Sequence, residues 1–236
     1  MTEPAAARHA IVLADGAAPT RATLDAAWPG WADGVALVVA ADGGVRHAVP
    51  LGLTVDRWVG DGDSTRPEDL DRLAAAGVAI DRVAMDKDES DTELALLAAV
   101  EAGAHVVTIL GGLGGARVDH ALANVALLQH PVLEHRDARL YDEAGARLSL
   151  LVGPDHRGLP GARDLAGRAG DLVSLIPLGE SARDVTTEGL RYPLSGETLP
   201  AGPARGISNV RIGSTARVSV GSGRLLVIET PANLRP

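Results

Sequence analysis

The sequence predicts an α/β fold in which a parallel sheet covered by helices is followed by a small antiparallel β-sandwich domain. Up to residue 141, apolar runs alternate with helical segments every roughly 20–30 residues, which is typical of a parallel sheet. After about residue 145 short apolar runs alternate with clusters of Gly, Pro, Asn and Ser, a pattern that favours antiparallel strands. We therefore place a Rossmann-like domain at residues 1–143 and the sandwich at residues 144–236.

The elements of the first domain follow from apolar runs and helix-start signals. Pro67, followed by two acidic residues, predicts a helix over residues 67–76. Ser90 with Glu93 three residues later is a capping box, so a helix is expected to begin at Asp91. Three other helices are expected: one near residues 23–28, one that begins near residue 45, and one that follows the glycine run 111–115 and ends at about residue 129. Strands are expected at residues 9–14, 35–41, 55–59, 78–83, 105–110 and 139–141 in this domain, and at 148–152, 172–177, 217–220 and 225–228 in the second.

Composition excludes several classes of function. The 236-residue chain has a net charge of −9 and shows no basic patch, which argues against a nucleic-acid binder. It has no cysteine, so disulfides, zinc–thiolate sites and thiol nucleophiles are excluded. No signal peptide and no apolar run long enough to span a membrane is recognised, and we expect a cytoplasmic protein.

Acidic or glycine-rich turns follow four of the predicted strands. They are Asp42-Gly43-Gly44, Asp61-Gly62-Asp63, the loop with Asp88 and Asp91, and the glycine run 111–115 that leads to Arg117 and Asp119. Ligands of parallel sheets bind beyond the carboxyl ends of the strands. The sequence therefore predicts one ligand site that these turns form together.

Asp61, Asp63 and Asp91 are the candidate metal ligands. Two carboxylates side by side at the end of a buried strand repel each other unless they are paired or bind a cation, and Mg²⁺ takes one or two carboxylates together with substrate phosphates. The alternative is that Asp61 and Asp63 only form a turn and that Asp91 only favours a helix N-terminus. We favour the metal site for the Asp61–Asp63 pair.

Phosphate-binding candidates lie beside the acidic turns. The glycine run 111–115 can bring backbone N–H groups close to an anion, and the Arg117 guanidinium is suited to bidentate phosphate contact. Lys87, the only lysine of the chain, either binds phosphate or balances Asp86 and Asp88. For His120, a core or capping role is as well supported as a catalytic one.

In the second half, Tyr192, Ser208 and Asn209 offer an aromatic face, a hydroxyl and an amide to a flat heteroaromatic ring. Without further information, ordinary sheet packing and turn chemistry are the better explanation of these residues.

Taken in order, these motifs resemble the thiamine pyrophosphokinase family along nearly the whole chain. The resemblance implies a homodimer that transfers the pyrophosphoryl group of ATP to the hydroxyl of thiamine, giving thiamine diphosphate and AMP. The motifs are Ala41-Asp42-Gly43-Gly44, Gly60-Asp61-Gly62-Asp63-Ser64, Lys87-Asp88-Glu89-Ser90-Asp91, Gly114-Gly115-Ala116-Arg117-Val118-Asp119-His120, Ala123-Asn124, Gly189-Leu190-Arg191-Tyr192-Pro193-Leu194 and Ser208-Asn209.

The resemblance also implies roles for individual residues. Asp61, Asp63 and Asp91 would hold Mg²⁺ together with the ATP phosphates, and Asp63 or Asp91 would accept the proton of the thiamine hydroxyl. Thiamine would contact Tyr192, Ser208 and Asn209, and the site would be completed across the dimer interface. The residues expected around the nucleotide or the reacting phosphates are Asp42, Gly43, Gly44, Lys87, Asp88, Gly114, Arg117 and Asp119.

The sequence departs from the family pattern at three positions. Gly62 replaces a bulky residue, and Ser90 replaces a threonine but keeps the hydroxyl. Ala116 makes the glycine–arginine motif one residue longer, which affects the reach of Arg117.

Three rival interpretations are considered. Residues 61–65 match the DxDxT pattern of aspartyl-phosphate phosphatases, but that pattern should follow the first strand. A pyrophosphokinase for another heterocyclic alcohol, such as a pterin, is closer. A non-catalytic nucleotide-binding protein would be expected to lose acidic residues that are present here.

Overall fold

The computed structural model describes residues 8–154 and 161–232, and the chain divides into two compact units, Met1–Ala144 and Gly145–Pro236. The predicted fold class is confirmed: the first unit alternates strands and helices, and the second is built from antiparallel strands. Among the helices of the described residues, none is both long and apolar enough for a membrane span.

The first unit contains a parallel sheet with strand order β6-β5-β1-β2-β3-β4. Its central strand, β1, is buried along its whole length, as expected for a strand covered on both faces. The strands are β1 (His9–Leu13), β2 (Val35–Ala41), β3 (Arg57–Gly60), β4 (Ala79–Arg82), β5 (Val106–Leu110) and β6 (Asp137–Tyr141). The α-helices are α1 (Arg21–Ala27), α2 (Ala48–Leu51), α3 (Pro67–Ala75), α4 (Asp91–Glu101) and α5 (Val118–Leu127), with 3₁₀ turns at Asp42–His47 and Pro131–Leu133.

The capping prediction for α4 is confirmed at the hydroxyl of Ser90, which accepts a hydrogen bond from the Glu93 backbone N–H at 3.2 Å. The Glu93 carboxylate lies 3.5 Å from His130 Nε2. The helix packs on β1, β2 and β3, so its first residue, Asp91, is fixed at the carboxyl edge of the sheet.

The second unit has two antiparallel sets of strands over one apolar core, as the sequence predicts for a sandwich. One set has the order β12-β9-β14-β7 and the other β11-β10-β13-β8. Buried side chains from both sets, among them Leu151, Val185, Val218 and Val227, form the core. The strands are β7 (Arg147–Val152), β8 (Ala162–Ala166), β9 (Leu172–Pro177), β10 (Ala182–Glu188), β11 (Glu197–Leu199), β12 (Asn209–Val210), β13 (Thr215–Ser219) and β14 (Arg224–Thr230).

Candidate active site

A cavity of about 460 Å³ opens in the first unit at the carboxyl edge of the parallel sheet. Strands β1 and β5 are neighbours there although β2, β3 and β4 lie between them in the chain. Such a switch in strand order separates the loops that follow the two strands and leaves a crevice for a ligand. The residues that line the cavity include Asp15, Asp42, Asp61, Asp63, Lys87, Asp91, Gly114, Arg117, His120 and Asn124.

Three carboxylates converge in this cavity. One oxygen each from Asp42, Asp61 and Asp91 lie within 4.8 Å of one another. Asp91 Oδ1 is buried, and Lys87 Nζ faces it at 3.0 Å. A buried oxygen of this kind is costly unless a cation compensates it. The cluster therefore fits a hard divalent cation such as Mg²⁺, which binds oxygen ligands.

Hydrogen bonds from three residues of β3 and the turn after it hold Asp42 in place. Its φ of +40° is unusual for a residue with a side chain, and its carbonyl oxygen accepts a hydrogen bond from Trp58 Nε1 at 3.0 Å. The carboxylate accepts hydrogen bonds from the Ser64 N–H at 3.0 Å and the Thr65 hydroxyl at 2.6 Å. Burial raises the pKa of Asp42, although these two hydrogen bonds oppose the rise.

Asp63 lies at the rim of the cluster. The turn is held by a hydrogen bond from the Asp63 N–H to Asp61 Oδ1 at 3.0 Å. The Ser64 hydroxyl donates to Asp63 Oδ1 at 2.9 Å, and this bond lowers the pKa of Asp63. Of the predicted metal ligands, the structure thus brings Asp61 and Asp91 together with Asp42, while Asp63 is exposed and lines the same cavity.

Lys87 pairs with the site carboxylates rather than with Asp86 and Asp88. Its Nζ lies 3.0 Å from Asp91 Oδ1 and 3.5 Å from Asp61 Oδ2, and 14% of its side chain is exposed. Burial lowers the pKa of Lys87, but the two carboxylates outweigh it and the net shift is upward. Asp88 is exposed and lies outside the set of residues that line this cavity.

The turn after β2 contains Gly43 and Gly44, both buried. A Cβ at Gly44 would lie 2.1 Å from the Leu13 carbonyl oxygen, so the backbone can pass β1 only with glycine there. Asp15 Oδ1 occupies the space that a Cβ at Gly43 would need. The sequence interpretation missed Asp15, although it follows β1 as the other acidic turns follow their strands.

The glycine run after β5 passes along the cavity wall. Gly114 and Gly115 have φ values of +73° and +83°, which favour glycine. Asn124 Nδ2 on α5 donates to the Gly112 carbonyl oxygen at 2.8 Å and fixes the run to the helix. The backbone is therefore held close to the cavity in a conformation that few other residues adopt.

Arg117 and Asp119 are paired with each other. Arg117 Nε and Nη2 donate to the two Asp119 oxygens at 2.9 and 2.6 Å, and both side chains are exposed. The Arg117 guanidinium holds the pKa of Asp119 well below its usual range. Arg117 and the preceding Ala116 line the cavity, whereas Asp119 lies outside its lining, so a catalytic role for Asp119 stays a prediction.

A second cavity, of about 220 Å³, lies in the sandwich unit beside Tyr192. The Asn209 side chain braces Tyr192: its Oδ1 accepts from the Tyr192 N–H at 3.0 Å and its Nδ2 donates to the Tyr192 carbonyl oxygen at 2.7 Å. Ser208 has a φ of +59°, and its N–H donates to Ser174 Oγ. Tyr192 and Asn209 line the cavity together with Glu197 and others, whereas Ser208 does not.

Comparisons with known proteins agree with this architecture. Residues 31–141 match "Thiamin pyrophosphokinase, catalytic domain", and residues 163–225 match "Thiamin pyrophosphokinase, vitamin B1 binding domain". The thiamine pyrophosphokinase of Bacillus subtilis is 29% identical over 202 residues, which is 85% of this chain and 90% of the relative.

Solved structures show the same likeness. The crystal structure of the Bacillus subtilis thiamine pyrophosphokinase is 28% identical, with a TM-score of 0.79 over 95% of this chain and 99% of the other. That of Geobacillus thermodenitrificans is 26% identical, with a TM-score of 0.74 over 94% of this chain and 97% of the other. The thiamin pyrophosphokinase of Candida albicans is 14% identical, with a TM-score of 0.73 over 98% of this chain and 95% of the other, and supports the fold alone.

Proposed function

Because the chain belongs to the thiamine pyrophosphokinase family, we propose that it transfers the pyrophosphoryl group of ATP to the hydroxyl of thiamine, giving thiamine diphosphate and AMP. The observation that carries this proposal is the convergence of Asp42, Asp61 and Asp91 in a cavity at the switch point of the sheet. The cavity's volume of about 460 Å³ falls within the range of small-ligand sites.

Asp61 and Asp91 would hold Mg²⁺ together with the ATP phosphates, and the close approach of their oxygens to one of Asp42 supports this assignment. When bound, Mg²⁺ neutralises charge on the phosphates. Asp42 completes the carboxylate cluster. Asp63 stays in the proposal as the exposed carboxylate at the rim of the same cavity.

The chain's own residues would position the reactants and balance charge. The thiamine hydroxyl oxygen forms a bond to the β-phosphorus, and the bond from that phosphorus to the oxygen shared with the α-phosphate breaks, so that AMP leaves. The hydroxyl proton passes to Asp63 or Asp91. Lys87, Arg117 and the glycine run line this cavity, and their ammonium, guanidinium and backbone N–H groups would contact phosphate oxygens and favour in-line attack.

The sandwich unit would bind thiamine beside Tyr192. Thiamine carries an aromatic cation, and the cavity offers the Tyr192 ring to it, while the Glu197 carboxylate of the same cavity is paired with Arg205. Asn209 would orient Tyr192, since its amide oxygen and nitrogen both form hydrogen bonds to the Tyr192 backbone. Ser208 is retained as a proposed contact although it lies outside the cavity lining.

Replacement of Tyr192 by Ala is expected to raise the KM for thiamine about fivefold, since a stacked aromatic ring contributes about 1 kcal/mol. The KM for ATP should stay unchanged because Tyr192 is proposed to contact thiamine and not ATP. Steady-state kinetics with each substrate varied in turn would measure both constants. The Tyr192→Phe variant keeps the ring and should behave like the wild type. An unchanged KM for thiamine in Tyr192→Ala would count against this site.

We also propose a cytoplasmic homodimer. Val118 and Leu122 on α5 are 74% and 69% exposed, and Ile212 in the sandwich unit is 63% exposed. Val118 and Leu122 lie four positions apart on one face of α5, and adjacent exposed apolar side chains of this kind support an interaction surface there. Light scattering coupled to size-exclusion chromatography would report the mass of the assembly.

A product assay tests the proposed reaction. Purified protein is incubated with ATP, Mg²⁺ and thiamine, and AMP is separated from ADP. We expect AMP and thiamine diphosphate in equal amounts. ADP in place of AMP would contradict the transfer of two phosphates. AMP formed only when a pterin alcohol replaces thiamine would favour the rival acceptor, and nucleotide binding without product would favour a binding protein.

A further inference from the structure

Lys87 lies where two of the site carboxylates converge. Its Nζ is 3.0 Å from Asp91 Oδ1 and 3.5 Å from Asp61 Oδ2, and these three side chains are between 12% and 26% exposed. Lys87 belongs to the loop before α4, whereas Asp91 is the first residue of the helix. Because a lysine carries its charge on a flexible four-carbon stem, Nζ can move several Å while the helix stays in place.

Lys87 and Asp91 form a charged contact, with Nζ 3.0 Å from the buried Asp91 Oδ1. Magnesium binds carboxylate oxygens at about 2.0–2.1 Å. A dication bound to the oxygens that now face Lys87 would therefore lie close to its ammonium group. Like charges at that distance repel strongly in a partly buried site.

We propose that Lys87 is an exchangeable counter-ion of the active site. Without a metal it neutralises Asp61 and Asp91. When a divalent cation takes these carboxylates, the ammonium group leaves them and contacts the phosphates of the bound nucleotide, a step that rests on the proposed function. Lys87 thus opposes binding of the metal alone and favours binding of the nucleotide together with the metal, so that the two ligands bind in a coupled way.

The Lys87→Met variant tests the exchange, because methionine keeps a similar length and removes the charge. The first titration uses Mn²⁺ without nucleotide, followed by the electron paramagnetic resonance signal of free Mn²⁺. We expect Mn²⁺ to bind Lys87→Met about tenfold more tightly than the wild type. The second uses an ATP analogue with a methylene group between the α- and β-phosphorus atoms, at saturating Mg²⁺. Its affinity is expected to fall about tenfold in the variant.

Arg82→Met is the matched control. Arg82 is exposed, and its Nη1 lies 3.4 Å from the Asp61 carbonyl oxygen, so the variant removes a positive charge beside the same turn without touching a carboxylate. We expect its Mn²⁺ affinity to change by less than about threefold. An equal gain in Arg82→Met and Lys87→Met would overturn the proposal, since it would reflect net charge alone.

Two further results would overturn the exchange. Unchanged Mn²⁺ affinity in Lys87→Met would show that the ammonium group does not compete with the metal. Tighter Mn²⁺ binding with unchanged affinity for the analogue would show that Lys87 never reaches the phosphates. A wild-type protein that binds no Mn²⁺ would count against the metal site itself, whereas the identity of the acceptor alcohol is tested separately by the product assay.

Discussion

The Asp91→Asn variant is expected to lose turnover by about a thousandfold or more while the protein stays folded, because a bound metal ion contributes several kcal/mol of charge stabilisation in the transition state. Asp91 supplies one carboxylate of the cluster, and its buried Oδ1 lies 3.0 Å from Lys87 Nζ. Asparagine keeps the shape but removes the charge that pairs with Lys87 and that would hold the proposed metal. Initial rates of AMP formation measure the loss, and circular dichroism checks the fold. Asp61→Asn is expected to behave in the same way.

Asp86→Asn is the control for this experiment. Asp86 is an exposed acidic residue of the same loop, and it does not line the cavity. Its variant should keep turnover within about threefold of the wild type, because an exposed charge outside the site contributes little. An active Asp61→Asn or Asp91→Asn variant would contradict the metal assignment, and an inactive Asp86→Asn would point to a general effect of charge on the loop.

The Arg211→Met variant is expected to lower the stability of the sandwich unit by about 3 kcal/mol, because it removes one partner of a buried ion pair. The Arg211 side chain is 1% exposed, and its Nη2 lies 3.0 Å from Glu229 Oε1. The other oxygen of Glu229 accepts from Arg147 at 2.6 Å. Arg211 also donates to the Leu165 carbonyl oxygen, so its loss leaves several buried polar atoms without partners.

Native-state hydrogen exchange, read from peptides of β9 and β14, measures this loss locally. The chain has two units, so a single unfolding transition is not assumed. Arg217→Met is the matched control, since Arg217 forms an ion pair with Asp164 in which both side chains are largely exposed. That pair is expected to contribute less than about 1 kcal/mol. Equal effects of the two variants would show that burial does not set the contribution of Arg211.

The sequence predicted the strands of the first unit because buried parallel strands are continuous apolar runs. In the sandwich it missed β8, β10, β11 and β12. Strand β10, with the sequence ARDVTTE, buries Ala182, Val185 and Thr187 and exposes charged residues between them. A short strand with one solvated face and few apolar residues is hard to distinguish from a loop until its partner strands are known.

The role of Asn209 shows the same limit within the site. From sequence, its amide was a candidate contact for a heteroaromatic ring. In the fold it lies against the backbone of Tyr192, 17 positions away, and both its oxygen and its nitrogen form hydrogen bonds to that backbone. Pairing between distant segments decides which polar atoms remain available to a ligand, and local sequence carries little information about such pairing.

By itself the sequence determined at which edge of the sheet the acidic and glycine-rich turns gather. Parallel strands point the same way, so the acidic turns after β2 and β3, the start of α4 and the glycine run after β5 had to meet at one edge. Only the tertiary structure decided which side chains converge there. Strand β2 lies beside β3, so Asp42 lies close to Asp61 and Asp91. Asp63 lies at the rim of the cavity, and the Lys87 side chain lies between the carboxylates of Asp61 and Asp91. The physical reason is that strand order and side-chain packing, which are non-local, set distances of a few Å, whereas the alternation of strands and helices sets only the edge.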